Sequence, residues 1–163
     1  MANSSTRHLV LKRIEQSVDV AAPPKSVWAL VSDLPRISEW SPQVVKSVVL
    51  GGSLGPGARL VNLNRRGFLV WPTRSEVVGW EPGREVAWQI RENGSTWSFT
   101  LEPTPTGPRL VQRRAAPDGI SEMSISMTDR FMGGQGVFQA ELQAGMRQTL
   151  TRVKHLAEGN VGS

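Results

Sequence analysis

The chain has 163 residues, of which 39% are hydrophobic and 20% charged, a mix that fits one folded domain and excludes a disordered chain. Cysteine is absent, which removes disulfides, thiolate nucleophiles and cysteine metal sites. The net charge of +5 rests on scattered arginines, Arg65-Arg66 and Arg113-Arg114 being the only adjacent ones, so a solvated basic surface is expected and no nucleic-acid partner.

Residues Met1 to Arg7 contain no apolar run, and no stretch nears the roughly 20 apolar residues of a membrane span. A cytoplasmic protein without integral membrane association is expected. The glycosylation sequons Asn3-Ser4-Ser5 and Asn93-Gly94-Ser95 carry no weight without an export signal.

From Ile14 to Val20 the residues alternate, with Ile14, Gln16, Val18 and Val20 on one face, as in a half-buried strand. Ala21-Ala22-Pro23-Pro24 ends it and opens a short helix whose apolar face is Val27, Leu30 and Val31, widened by Trp28. Asp33 is the expected N-cap of a second short helix, with Pro35 in its first turn, Ile37 and Trp40 on it, and Ser41-Pro42 stopping it.

Six strand-like segments follow. Val44 to Leu50 is valine-rich, Gly51 to Gly57 is a loop, and Arg59 to Asn64 alternates. After the turn Arg65-Arg66-Gly67, a long segment runs from Phe68 to Trp80, with a bend expected at Pro72 because proline cannot donate to a central ladder. Glu81-Pro82-Gly83-Arg84 is a turn, Glu85 to Arg91 alternates, and Asn93-Gly94 is a strong hairpin signal leading to Trp97, Phe99 and Leu101. Pro103 to Pro108 is a further turn before Leu110 to Ala115. Such short connections predict a six-stranded antiparallel meander.

Ile120, Met123, Met127 and Phe131 fall near helical spacing in an otherwise illegible stretch, readable as a short helix or an apolar flap. Gly133-Gly134 and Gly136 break it. Gly133-Gly134-Gln135-Gly136 lacks the lysine and hydroxyl of a phosphate loop. A long helix is expected from Val137 to Leu156, with Phe138, Leu142, Met146, Leu150 and Val153 on its apolar face. His155 at its end suits the helix dipole better than catalysis.

This order predicts an α+β helix-grip fold: a curved seven-stranded antiparallel sheet wrapped around a long C-terminal helix, with two short helices after the first strand. The chain resembles the START-like superfamily, which includes the birch pollen allergen. Ala22-Pro23-Pro24-Lys25-Ser26-Val27-Trp28 with Val31-Ser32-Asp33-Leu34-Pro35, Glu39-Trp40-Ser41-Pro42, Ser75-Glu76-Val77-Val78-Gly79-Trp80-Glu81-Pro82 and Trp97-Ser98-Phe99-Thr100-Leu101-Glu102-Pro103 resemble the bacterial polyketide cyclase/dehydrase family. One domain over residues 1–163 is expected, with a core of about 14–156 and flexible tails at 1–10 and 158–163. The resemblance implies an internal cavity between sheet and helix that takes a small hydrophobic, lipid-like or polyketide-like molecule. Family members include cyclases and carriers, so an enzyme acting on such a molecule is the alternative, and a module binding a protein partner at the cavity's open edge is a third reading.

The candidate ligand-binding residues are Trp40, Trp71, Trp88, Trp97 and Phe99, with Met123, Met127, Phe131 and Met132 near the proposed flap and Phe138, Leu142 and Met146 on the long helix. Thr73, Arg74, Ser75, Glu76, Gln89, Arg91 and Gln112 are the polar candidates, half of which any given register turns inward. No metal site, cofactor or catalytic residue is assigned. The chain has no tyrosine, so chemistry in the cavity would fall to arginine, carboxylate or hydroxyl groups.

Overall fold

A computed structural model describes residues 13–116 and 135–159, the side chains of Gln135, Gly136 and Phe138 excepted. The elements are β1 (Arg13–Asp19), α1 (Pro24–Val31), α2 (a 3-10 turn Leu34–Arg36 running into the single α turn Ile37–Trp40), β2 (Val44–Leu50), β3 (Arg59–Arg66), β4 (Leu69–Glu81), β5 (Glu85–Ile90), β6 (Thr96–Thr104), β7 (Gly107–Ala115) and α3 (Gln135–Ala157). All seven strands form one antiparallel sheet in the order β1-β7-β6-β5-β4-β3-β2. It is the expected meander, with β1 returning to pair with the last strand. The helix-grip α+β architecture is therefore present.

Three local expectations change. Pro72 does not bend β4: it sits opposite Leu63 in an unbroken ladder, and the register shifts instead between Val77 and Gly79. A residue that faces solvent and needs no donated bond at its position leaves the strand continuous. Asp33 makes no side-chain capping bond, and a 3-10 turn with Pro35 inside it takes the place of a capped α-helix. The turn expected over Pro103 to Pro108 shrinks to Pro105-Thr106, because both flanking strands extend into it. Gly107 makes that possible. Its φ is +134°, and a Cβ there would stand 2.2 Å from the Val20 carbonyl oxygen.

The concave face carries the core. Val86, Phe99, Leu101 and Leu110 from the sheet meet Val27 and Val31 of α1 and Leu150 and Val153 of α3 in one cluster. Each such side chain contributes roughly 1.5–3 kcal/mol through burial. Toward the N-terminal half of α3, Leu142 and Met146 pack with Ile14, and Trp97 closes on them. The two ends of α3 therefore differ in company: the C-terminal half lies in dense core, and the N-terminal half packs on Ile14 of β1 and Trp97 of β6.

Candidate functional site: a cavity under the long helix

A cavity of about 160 Å³ lies between α2, the N-terminal half of α3 and the concave face of β2 to β7. Its wall mixes two chemistries. Leu34, Ile37, Trp88, Trp97, Leu142 and Met146 are apolar. β2, β3 and β4 present Ser47, Asn62, Asn64, Thr73 and Ser75, with the apolar Leu60 and Trp71 on the same strands.

Strand register explains the polar cluster. Ser47 faces Asn62 on β3, and Leu60 faces Ser75 while Asn62 faces Thr73 on β4. These inward positions bond to one another. Ser47 Oγ donates to Asn62 Oδ1 at 2.6 Å, and Asn62 Nδ2 donates to Ser75 Oγ at 3.2 Å. Asn64 Nδ2 donates to Thr73 Oγ1 at 3.0 Å and to the Trp71 carbonyl at 3.2 Å. The ladder satisfies its members while leaving amide and hydroxyl capacity for a guest.

β7 adds the most polar pair. Gln112 and Arg114 both point inward and are each only 3% exposed. The Gln112 Oε1 is buried without a hydrogen-bond partner among the described residues. The Arg114 guanidinium stands 5.9 Å from the Trp97 ring centroid, and burial lowers its pKa. Its sequence neighbour Arg113 points the other way, donating to Glu15 Oε1 at 2.5 Å.

At the edge of the cavity Glu141 of α3 accepts two bonds from Arg66, at 2.7 Å from Nε and 2.6 Å from Nη2. This fork ties the β3–β4 hairpin to the helix and holds the Glu141 carboxyl below the usual carboxylate range.

The structure places the sequence-derived candidates as follows. Trp71, Trp88, Trp97, Leu142 and Met146 share the cavity wall. Phe99 does not reach it: it is fully buried behind Trp88, with ring centroids 5.7 Å apart. Trp40 is likewise buried off the wall, where its carbonyl accepts from Thr149 Oγ1 and Arg152 Nη1, both at 3.3 Å, and joins α2 to α3. Met123, Met127, Phe131 and Met132 lie outside the described residues, as does the Phe138 side chain. Of the polar candidates, Thr73, Ser75 and Gln112 face inward, whereas Arg74, Glu76 and Gln89 are exposed on the other face and Arg91 is exposed in the turn after β5. Arg74 pairs there with Glu92 at 2.9 Å. Sequence reading missed Ser47, Asn62, Asn64 and Arg114. The signal for the asparagines was their i+2 and i+4 spacing from the apolar Leu60.

The family "Polyketide cyclase / dehydrase and lipid transport" matches residues 12–158, nearly the whole chain. The chain belongs to this family. Among solved structures it is similar to the di-domain ARO/CYC StfQ of the steffimycin biosynthetic pathway, with a TM-score of 0.76 and 18% identity over 99% of this chain and 55% of StfQ. It thus spans about half the length of StfQ. It is also similar to a Polyketide_cyc-like protein of Corynebacterium glutamicum (TM-score 0.59, 28% identity, 92% of this chain and 93% of that one). The Zhui aromatase/cyclase of Streptomyces sp. R1128 aligns with a TM-score of 0.63 at 16% identity, over 91% of this chain and 94% of that one. No curated protein matches the chain. Among the described residues, no helix is long and apolar enough to cross a membrane, and no group of three or more His, Asp or Glu side chains could hold a metal ion.

Proposed function

We propose that this family member binds a small molecule with an apolar ring or chain body and an oxygen-bearing edge, held between the sheet and α3. The observation that carries this reading is the mixed wall, with tryptophans and helix side chains beside a hydrogen-bonded ladder of serine, threonine and asparagine. A plain hydrocarbon would leave that ladder facing an apolar guest, which costs free energy. An oxygenated polyketide-like or polyphenolic molecule would meet both chemistries. The family's description and the aromatase/cyclase neighbours support the same ligand class.

The second reading is an enzyme of the cyclase or dehydratase kind acting on such a molecule. Arg114 favours it, as a buried cation able to stabilise developing negative charge beside Gln112. Binding without turnover is preferred on the ionisable groups of the wall. Among the described residues these are Arg114 and Glu141, and Arg66 keeps Glu141 ionised. Neither exchanges a proton readily near neutral pH.

Native mass spectrometry of protein purified from its own host tests the proposal. The expected spectrum shows a retained small molecule that disappears in Leu142→Trp, which fills the cavity. A ligand-free protein that no lipid, sterol or polyphenol stabilises against heat would overturn it. Recovery of a chemically altered molecule after incubation would shift the assignment to the enzyme.

A further inference from the structure

Seven arginines of the described residues lie 2.5–3.7 Å from a carboxylate, all on more exposed positions than Arg114. Arg114, 3% exposed, has no ion pair and no hydrogen bond among the described residues. Its neighbours on the same face are Ile14 of β1 and Trp97 of β6, directly opposite it in the two ladders. The Trp97 ring at 5.9 Å is at the outer limit of a cation–π contact and replaces little of the lost water. A guanidinium in apolar company calls for an anion. It is also the only cationic side chain on the cavity wall among the described residues.

We propose that Arg114 receives a carboxylate of the bound molecule, so that the ligand is an acid rather than a neutral lipid. This rests on the reading of the cavity as a small-molecule site. The planar fork of arginine matches a carboxylate with two parallel bonds. A single cation suits a monoanion. A doubly charged phosphate would leave one charge unmatched and would share the wall with ionised Glu141. Gln112 stands one pleat along the same strand face, about 6.5 Å from Arg114. Its amide oxygen, unpartnered among the described residues, supplies an acceptor for a hydroxyl carried near the acid group.

Paired probes test this: 2-naphthoate against methyl 2-naphthoate, and dodecanoate against methyl dodecanoate, titrated calorimetrically into the wild type, Arg114→Met and Arg114→Lys. The acids should bind the wild type about tenfold or more tightly than their esters, as a charge-assisted bond requires. Arg114→Met should erase that preference while keeping ester binding, and Arg114→Lys should keep part of it. Ligand-free Arg114→Met should melt no lower than the wild type, because no partner is orphaned. Equal affinity for acid and ester in the wild type overturns the proposal, as does a preference that survives Arg114→Met. If esters bind and acids gain nothing, the cavity reading stands and this one falls; if neither binds, both fall. The wild-type comparison decides even if a variant fails to fold.

Discussion

Asn62 is the middle rung of the Ser47–Asn62–Ser75 ladder, and its removal measures whether that wall is wet or dry. The three residues are 7%, 9% and 3% exposed, and Asn62 makes one bond to each neighbour. Each bond contributes about 1 kcal/mol net, so Asn62→Ala removes about 2 kcal/mol directly. The two freed hydroxyls then decide the total. In a dry core each would add about 1–3 kcal/mol of desolvation cost. On a cavity wall, water replaces the lost amide, and the loss stays near 2 kcal/mol. For a chain of this length that is about 4–8 °C in Tm. Urea titration of Asn62→Ala, Ser75→Ala and the double variant reads both the loss and the coupling, expected at about 1 kcal/mol. A loss above about 4 kcal/mol would show that the ladder is sealed core and would refute its place on a ligand-facing wall. Coupling below about 0.3 kcal/mol would refute the Asn62–Ser75 bond itself.

Other perturbations probe the frame around the cavity. Gly107→Ala should cost at least about 2 kcal/mol in chemical denaturation, since the new Cβ meets the Val20 carbonyl at a positive φ. A loss under about 0.5 kcal/mol would contradict that packing. Phe99→Ala should lower stability by about 3–5 kcal/mol while leaving the tightest ligand's affinity within about twofold, because the ring lies behind the wall and not on it. A large affinity loss in the folded variant would return Phe99 to the site. Glu15, Glu39 and Glu141 are each held below the ordinary carboxyl value of 4.5 by an arginine. Lowered folded pKa values contribute stability that is complete above pH 4.5 and is lost as pH falls through the folded values. Urea midpoints should therefore be level from pH 7 to 5 and drop below about 4.5, with a shallower drop in Glu141→Gln. A midpoint that rises on acidification would refute the assignment.

The fold was legible because punctuation and alternation agree along the chain. Gly67, Gly83 and Gly94, all at positive φ, sit in turns that the sequence marks with glycine, and the strands between them keep period two. The cavity was legible only by half. Aromatic and methionine positions on β5, β6 and α3 stand out in an alternating or helical pattern, so Trp88, Trp97, Leu142 and Met146 could be chosen. Arg114 could not. Leu110, Gln112 and Arg114 alternate with Val111 and Arg113, so each face of β7 carries both apolar and polar residues, and parity alone picks neither. Only the ladders to Ile14 and Trp97 show which arginine of the pair turns inward. Phe99 failed to reach the wall for a related reason: alternation assigns a face of the sheet, not a distance along it from the dense core to the cavity.

The pairing of β1 with β7 has a consequence in time. Asp19 meets Arg109 across 90 residues of chain, whereas every other ladder joins neighbours in sequence. At ribosomal speeds of about 5–20 residues per second, β1 waits on the order of 5–20 s for its partner strand to be made. The hairpins from β2 to β7 can close as they emerge, and sheet closure by β1 comes last. The ladder that turns Arg114 toward Ile14 is thus among the final pieces to form, and refolding kinetics should record the completion of that wall as the slow event.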